Sequence, residues 1–503
     1  MLKRLAWLDT QRLVVAILAI SLFAMAVRAP ADSDMWWHLA AGDWMRAQGR
    51  VPLADPFSHT LAGQRWIEQG WLPDVLTSLV FERLGYAGLG LLMALIVMTT
   101  LLLSFVQSRA GLFVKTFATL LAAIASAVYW SMRPQIFSFL FFAVTLYVLY
   151  RHKHGSRRIV WALPPLMLLW ANCHAAWLSG YIAIGCYLLG ESLNRLLRPA
   201  GEPAGAWRPL LELIGVAAVS LPFLALNPNG VVMLTYPFKT VGIGVLQQFI
   251  QEWAAPDFHQ VYVQPFIWLL LLTVAAMALA GRRADFTHLI TLAGFCYMAL
   301  MAGRNIALFA LVAGPLLATY GQEAIAGLWA TVAGRYPRLA RLAPAAAPVA
   351  GRRPALIAVN WAILALVVIA AGVKAVQPLS ADFNEKLQAE QFPAGAVAFL
   401  RNHDLPGEMF NSYNWGGYLI WKLYPARRVF IDGRTDLYDD AFIRRYLAVT
   451  WAQDGWEDTL QRYHVGYVVI ERQSFLAAYL ALHPGWQEVY RDGLAVIYVR
   501  RDS

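Results

Sequence analysis

The chain reads as a polytopic α-helical membrane protein with about eleven transmembrane helices and a C-terminal extracytoplasmic α/β domain. Three observations lead there. Of its 503 residues, 59% are hydrophobic and only 14% charged, far from the composition of a soluble chain. Apolar runs recur as far as Val373 and then stop. From Ala381 to Ser503, 13 Lys and Arg stand against 16 Asp and Glu, a net −3, so residues 1–380 carry +13 of the total of +10. A basic excess confined to short loops between apolar runs is a topology signal and argues against a nucleic-acid partner. Cys173, Cys186 and Cys296 lie in or beside apolar runs at unrelated spacings, which suits buried thiols rather than a disulfide framework or a thiolate metal site.

The first run, Leu13–Val27, follows Lys3, Arg4 and Arg12; Arg28 and Pro30 spoil a small-residue cleavage site, so a retained first helix with a cytoplasmic N-terminus is expected. Residues 30–86 form a long first outer loop, rich in Trp and expected to lie along the membrane face. Within it, Trp36, Leu39, Ala40, Asp43, Trp44 and Ala47 follow a helical period that ends at Gly49, and Trp66–Phe81 reads as a second amphipathic helix. Ten more apolar segments follow: Leu89–Val106, Leu112–Trp130, Ile136–Tyr150, Ile159–Ala171, Ala175–Leu189, Leu210–Leu226, Pro265–Ala280, Leu289–Ala302, Ile306–Thr319 and Leu356–Val373. Several are shorter than the ~20 residues of a straight crossing, which points to broken or tightly turned helices. Threaded from a cytoplasmic N-terminus, every inner loop is basic, from Arg109 and Lys115 through Arg151–Arg158, Arg195, Arg198, Arg282 and Arg283 to Arg335, Arg338, Arg341, Arg352 and Arg353. Residues 1–380 thus form a transmembrane domain. Residues 381–503 alternate expected helices (Phe392–Leu400, Ala441–Ala448) with β-rich runs (Val429–Asp432, Tyr467–Glu471, Leu494–Val499), the pattern of a small α/β domain outside the membrane.

Sorting polar residues by this topology gathers a set on the outer face. Asp32-Ser33-Asp34 and His38 stand just after the first span, with Glu68 in the same loop. Arg133 and Gln135 are in the second outer loop, Asn172 and His174 in the third, Glu252 in the fourth and Arg304 in the fifth. Charge at the mouth of a membrane span is costly, so it marks a functional site by default. Against this stand plainer readings: a Trp belt with solvated acids, arginines snorkelling at helix ends, and Asn172 with His174 as a helix-packing pair. Carboxylates for base or metal work beside arginines for phosphate suit transfer from a lipid-linked phosphosugar.

Asp32-Ser33-Asp34, placed after the first span and before amphipathic helices, resembles the Asp-X-Asp signature of the GT-C superfamily of polyprenyl-phosphate-sugar-dependent glycosyltransferases. Asp34-Met35-Trp36-Trp37-His38-Leu39 is similar to the Asp-Pro-Tyr-Tyr-His continuation of oligosaccharyltransferase catalytic subunits, and Asn414-Trp415-Gly416-Gly417-Tyr418 stands where those enzymes carry Trp-Trp-Asp-Tyr-Gly. Two departures matter: that block lacks its acidic residue, which argues against asparagine-linked transfer, and Met132-Arg133-Pro134-Gln135 replaces a second Asp-X-Asp.

The resemblance implies a glycosyltransferase, hexosyl or pentosyl, passing a sugar from a polyprenyl-phosphate donor to a glycan, lipid or protein hydroxyl in the cell envelope, integral to a bacterial inner (cytoplasmic) membrane. Asp34 or Asp32 would be the catalytic base. Arg133, Arg304, His38 and Gln135 would bind the donor and its phosphate. Glu68, Asn172, His174, Tyr413, Asn414, Asp432 and Arg434 would orient the acceptor, and if a Mg²⁺ or Mn²⁺ ion binds, Asp34 and Glu252 would hold it. The readings from other classes are a transporter or lipid flippase, which would concentrate polar groups near the bilayer midplane, and a non-catalytic envelope-assembly scaffold.

Overall fold

Asp9 caps the first helix, Thr10–Ala26, by accepting from the Arg12 backbone N–H at 2.9 Å. The computed structural model describes residues 7–198, 205–241, 244, 249–336, 338 and 354–501; Lys3, Arg4, Arg341, Arg352 and Arg353 lie outside the described residues. Past the first helix, Arg28 turns back to donate to the Ala127 carbonyl at 2.6 Å and packs over the Trp130 ring. A residue expected only to spoil a cleavage site thus ties two helices together.

Each of the eleven apolar stretches forms a helix. Among the described residues six are long and apolar enough to cross a membrane: Trp71–Phe105, Leu112–Tyr129, Gln135–Lys153, Val261–Leu279, Gly303–Arg335 and Ala355–Leu379. Thr10–Ala26 and Phe286–Met301 are shorter apolar helices. The expected second amphipathic helix and the following span are one element, Trp71–Phe105, broken at Gly85, whose φ of 58° a side chain would resist.

The short helix Met35–Gln48 ends, as its pattern predicts, at Gly49 in the left-handed region. Its first eight residues are covered by protein rather than left open. Met35–Gly42 are all buried, Trp36 among Tyr86, Phe392, Tyr418 and Trp421, because Trp71–Phe105 covers one side and Gly416–Leu423 the other. Two glycines allow that proximity: a Cβ on Gly42 would collide with the Asp74 carbonyl, and one on Gly417 with the Ser33 carbonyl.

From Ala381 the chain turns to short helices around a four-stranded sheet, β1 (Glu408–Asn411), β2 (Val465–Glu471), β3 (Trp486–Arg491) and β4 (Ala495–Arg500), in the order β1-β2-β4-β3. β1 and β2 are parallel and the other pairs antiparallel. The run Val429–Asp432, expected as a strand, is extended but joins no sheet. Val429 exchanges backbone hydrogen bonds with Phe57 and His59 of the first outer loop. The buried Asn411 side chain accepts from the Phe430 N–H at 2.7 Å and donates to the Ile431 carbonyl at 2.8 Å, replacing a neighbouring strand.

At the far ends of the helices from Gln135, Trp177 and Met301, Lys153, Glu191, Asp285 and Arg195 form one ionic network. It binds three helix ends together on the side expected to be cytoplasmic.

Candidate active site

Arg133 sits in the loop before the helix Gln135–Lys153, where Pro134 at its N-cap position fixes the chain direction. Its guanidinium is the hub of the site. Nη1 donates to Asp34 Oδ2 at 2.9 Å, Nη2 to Glu252 Oε2 at 2.8 Å, and Nε lies 3.2 Å from Asp32 Oδ2. Nε also donates to Ser131 Oγ at 3.0 Å.

The two aspartates differ. Asp32 Oδ1 accepts the Asp34 backbone N–H at 2.9 Å, closing a turn that aims Asp34. Asp34 lines a cavity of about 280 Å³, together with His38, Gln69, Arg133, Gln135 and His174. Glu252, Trp253, Arg304 and Asp436 complete its polar wall, while Leu178, Ile182, Met298 and Leu308 give it an apolar floor between the helices. A polar head beside an apolar floor suits an amphiphilic ligand.

Electrostatics sort these groups into charged and neutral. Burial pushes the Asp34 carboxyl up to about 7, Arg133 opposes this, and Asp32 and Glu252 add to it. Burial also acts to raise Glu252, but Arg133 and Arg304 outweigh it and hold that carboxyl below its ordinary value. Arg133 loses hydration by burial yet is held firmly protonated by its three carboxylates. Arg304, at the start of the helix Ile306–Arg335, stacks over Trp253 at 4.4 Å, and its Nη1 is 3.7 Å from Glu252 Oε1. It is the cation of the cavity less closely held.

His174 is neutral. Burial, with Arg304 and Arg133 nearby, lowers its imidazole to about 3. The Ala176 backbone N–H points at Nδ1 at 3.3 Å and can only donate, so Nδ1 accepts and the proton is on Nε2. Ser138 Oγ lies 2.9 Å from the same nitrogen and itself accepts from Trp170 Nε1 at 2.8 Å, which fixes this tautomer. On the opposite wall His38 Nδ1 is hydrogen-bonded to Asp74 Oδ1 at 2.8 Å.

Several residues expected to orient an acceptor are used structurally. Glu68 is buried behind the cavity; its Oε1 accepts the Gly70 N–H at 2.8 Å, and burial raises its pKa to about 8, so it is a neutral acid at pH 7. Asn172 accepts from Trp71 Nε1 and donates to the Leu168 and Leu226 carbonyls, packing helices together. Asn414 is exposed and outside the cavity wall. Tyr413 is half-buried, its phenol raised by burial and by Asp34, Asp432 and Glu252.

Asp432 and Arg434 are the clearest correction. Both are fully buried, in a bidentate pair at 2.8 and 2.7 Å, with Arg434 Nη1 on Asp55 at 2.7 Å and Tyr438 donating to Asp432. They lock the first outer loop to the C-terminal part and leave only Gly433, Thr435 and Asp436 of that turn on the cavity wall. The second acid of Asp432-Gly433-Arg434-Thr435-Asp436 is therefore the one that reaches the site. Trp253 stood beside Glu252 in the fourth outer loop, whereas Gln69 and Asp74 carried no signal in the sequence beyond being polar in an outer segment.

A divalent ion does not fit between Asp34 and Glu252. The Arg133 guanidinium occupies the space where their oxygens converge, and no group of three His, Cys, Asp or Glu among the described residues is placed to hold a metal.

No protein-family model and no curated protein sequence matches the chain. Solved structures do. The Archaeoglobus fulgidus oligosaccharyltransferase, tethered with an acceptor peptide containing the NVT sequon, aligns with a TM-score of 0.56 at 12% identity, over 98% of this chain and 74% of that one. The oligosaccharyltransferase AglB from the same organism, in complex with an inhibitory peptide and a dolichol-phosphate, aligns at 0.52 and 12% identity over 91% and 69%. ArnT from Cupriavidus metallidurans, bound to undecaprenyl phosphate, aligns at 0.50 and 14% identity over 97% of each chain. This chain has the GT-C fold that these proteins share.

Proposed function

We propose that this GT-C chain is a membrane glycosyltransferase that moves a sugar from a polyprenyl-phosphate-linked donor to a hydroxyl of a glycan, lipid or protein. One observation carries the reading: a cavity that joins a carboxylate, Asp34, to two arginines above an apolar floor. The floor suits the first units of a polyprenyl chain, as the neighbours complexed with dolichol-phosphate and undecaprenyl phosphate suggest by analogy.

In the proposed reaction the acceptor hydroxyl attacks the anomeric carbon, its proton passes to Asp34, and the bond from that carbon to the phosphate oxygen breaks. The phosphate leaves with the electron pair. Asp34, aimed by Asp32, is the general base, a role worth on the order of 10²–10⁴ in rate. Arg304, His174 Nε2–H and the cavity edge of Arg133 meet the developing phosphate charge, interactions that strengthen as the bond breaks. His38 and Gln135 border the donor, and Asp436 faces the acceptor side. We place the cavity on the extracytoplasmic face of a bacterial inner membrane, with residues 381–503 as the domain that closes it, because the basic loops fall at the opposite helix ends.

A panel of labelled polyprenyl-phosphate sugars tests this in detergent. Saturable binding of at least one, displaced by the unlabelled carrier phosphate and weakened about tenfold or more by Arg304→Gln, is expected. A protein that binds no member of the panel is not this kind of transferase.

A further inference from the structure

We propose that Asp74 is a positioning residue that holds His38 as a neutral hydrogen-bond donor, its Nε2–H turned to the cavity opposite the Nε2–H of His174. That this bond goes to an oxygen of the sugar-phosphate head rests on the transferase reading above; the place of the proton does not.

The sequence brings the pair together through a glycine. His38 and Gly42 are one turn apart on the helix Met35–Gln48 and so share a face. A Cβ on Gly42 would strike the Asp74 carbonyl, so glycine lets the helix Trp71–Phe105 come close enough for Asp74 to reach the imidazole. Asp74 Oδ1 lies 2.8 Å from His38 Nδ1, and the Trp37 ring packs on the imidazole with ring centres 3.5 Å apart. Nδ1 is thereby committed, and Nε2 is the nitrogen that His38 has left for a ligand in the cavity it lines.

Burial settles where the protons sit. Asp74 is 1% exposed, its Oδ2 has no hydrogen-bond partner among the described residues, and no Lys or Arg among them lies within ion-pairing distance of it. A carboxylate there would be an uncompensated buried charge, a cost that the neutral acid avoids. Asp74 therefore donates its O–H to Nδ1. Burial, with Arg133 and His174 nearby, keeps the imidazole neutral, well below its ordinary pKa, so its one proton is on Nε2. Two uncharged N–H groups thus face the cavity from opposite walls. They add to the pull of Arg304 on an anionic oxygen without disturbing the balance between Arg133 and its carboxylates, and they strengthen as charge develops.

Histidine ring ¹⁵N resonances test this on the full chain in detergent with no donor present. The His38 signals are identified by their loss in His38→Gln, or by sequential correlation through Trp37 if that variant does not fold. At pH 7 a protonated Nε2 and a bare Nδ1 are expected in wild type, and also in Asp74→Asn, whose amide N–H replaces the acid. A wild-type proton resident on Nδ1 with a bare Nε2 would overturn the proposal. Where transfer is measurable, His38→Gln, which keeps an N–H near the place of Nε2, should turn over at least about tenfold faster than His38→Leu. Asp74→Asn should likewise exceed Asp74→Leu by about tenfold. Equal losses in either pair would overturn the role, because a histidine acting as a base is no better replaced by Gln than by Leu, and a purely space-filling Asp74 is no better replaced by Asn. The resonances fix the place of the proton even if no sugar is transferred, and transfer can stand if they put that proton on Nδ1.

Discussion

Asp34 is pulled in two directions, and its behaviour follows from the balance. Burial and two neighbouring carboxylates lift its pKa to about 7 while Arg133 draws it down. A base works only when ionised, so as pH falls below about 7 the competent fraction drops, about tenfold per unit. We therefore expect kcat/KM to fall on the acid side of about pH 7 and to level off above it, measured over a pH–rate profile. A profile flat down to pH 5 would remove Asp34 from that role. Arg434 makes the opposite prediction. With Asp55 and Asp432 buried around it, Arg434→Ala strands two carboxylates and should destabilise the fold by about 3–5 kcal/mol, seen in thermal melting. An unchanged melt with lost turnover would return Arg434 to an acceptor role. The outer-face aspartates, His38, Arg133, Gln135, His174, Glu252 and Arg304 were visible in the sequence because charge and imidazole stand out against apolar runs. What separates Asp34 from Asp32, or Asp436 from Asp432, is a turn and a burial that only tertiary packing decides.

Glycines set how closely the C-terminal part approaches the membrane helices. A Cβ at Gly433 would run into Asp34 Oδ1, and one at Gly417 into the Ser33 carbonyl. The block Asn414-Trp415-Gly416-Gly417-Tyr418 thus acts here through Gly417, which seats the helix Gly416–Leu423 against Ser33 and Trp37. Gly433→Ala should shift the base without unfolding the chain. An ångström of misplacement can cost on the order of 10²-fold, so a large drop in kcat with a nearly unchanged melting temperature is expected. Equal kcat in the variant would show that Gly433 does not set the position of Asp34. Helix positions were legible from apolar runs, including the stop at Gly49, whereas the joining of Trp66–Phe81 to the next span was not. An alternating interfacial pattern does not reveal that protein, rather than lipid headgroups, covers it. Val429–Asp432 likewise has strand composition, but its partners are a loop and the Asn411 side chain, which no periodicity encodes.

The membrane helices, the outer loops and the turn at Gly433–Asp436 surround a polar cavity at one end of the bundle, and the Lys153–Glu191–Asp285 network ties helix ends at the other. That division was legible in the distribution of charge along the chain. The closure of the cavity was not, because residues 32–38, 133–135, 252–253, 304 and 433–436 meet only in space. If those segments form a glycosyl-transfer site, binding and chemistry must separate at Asp34. The decisive comparison is donor binding and turnover by wild type and by Asp34→Asn, both purified in detergent. Donor binding within about twofold of wild type, with turnover reduced on the order of 10²–10⁴, is expected. Full turnover in Asp34→Asn, or a donor that neither protein binds, would contradict the assignment of this cavity to sugar transfer.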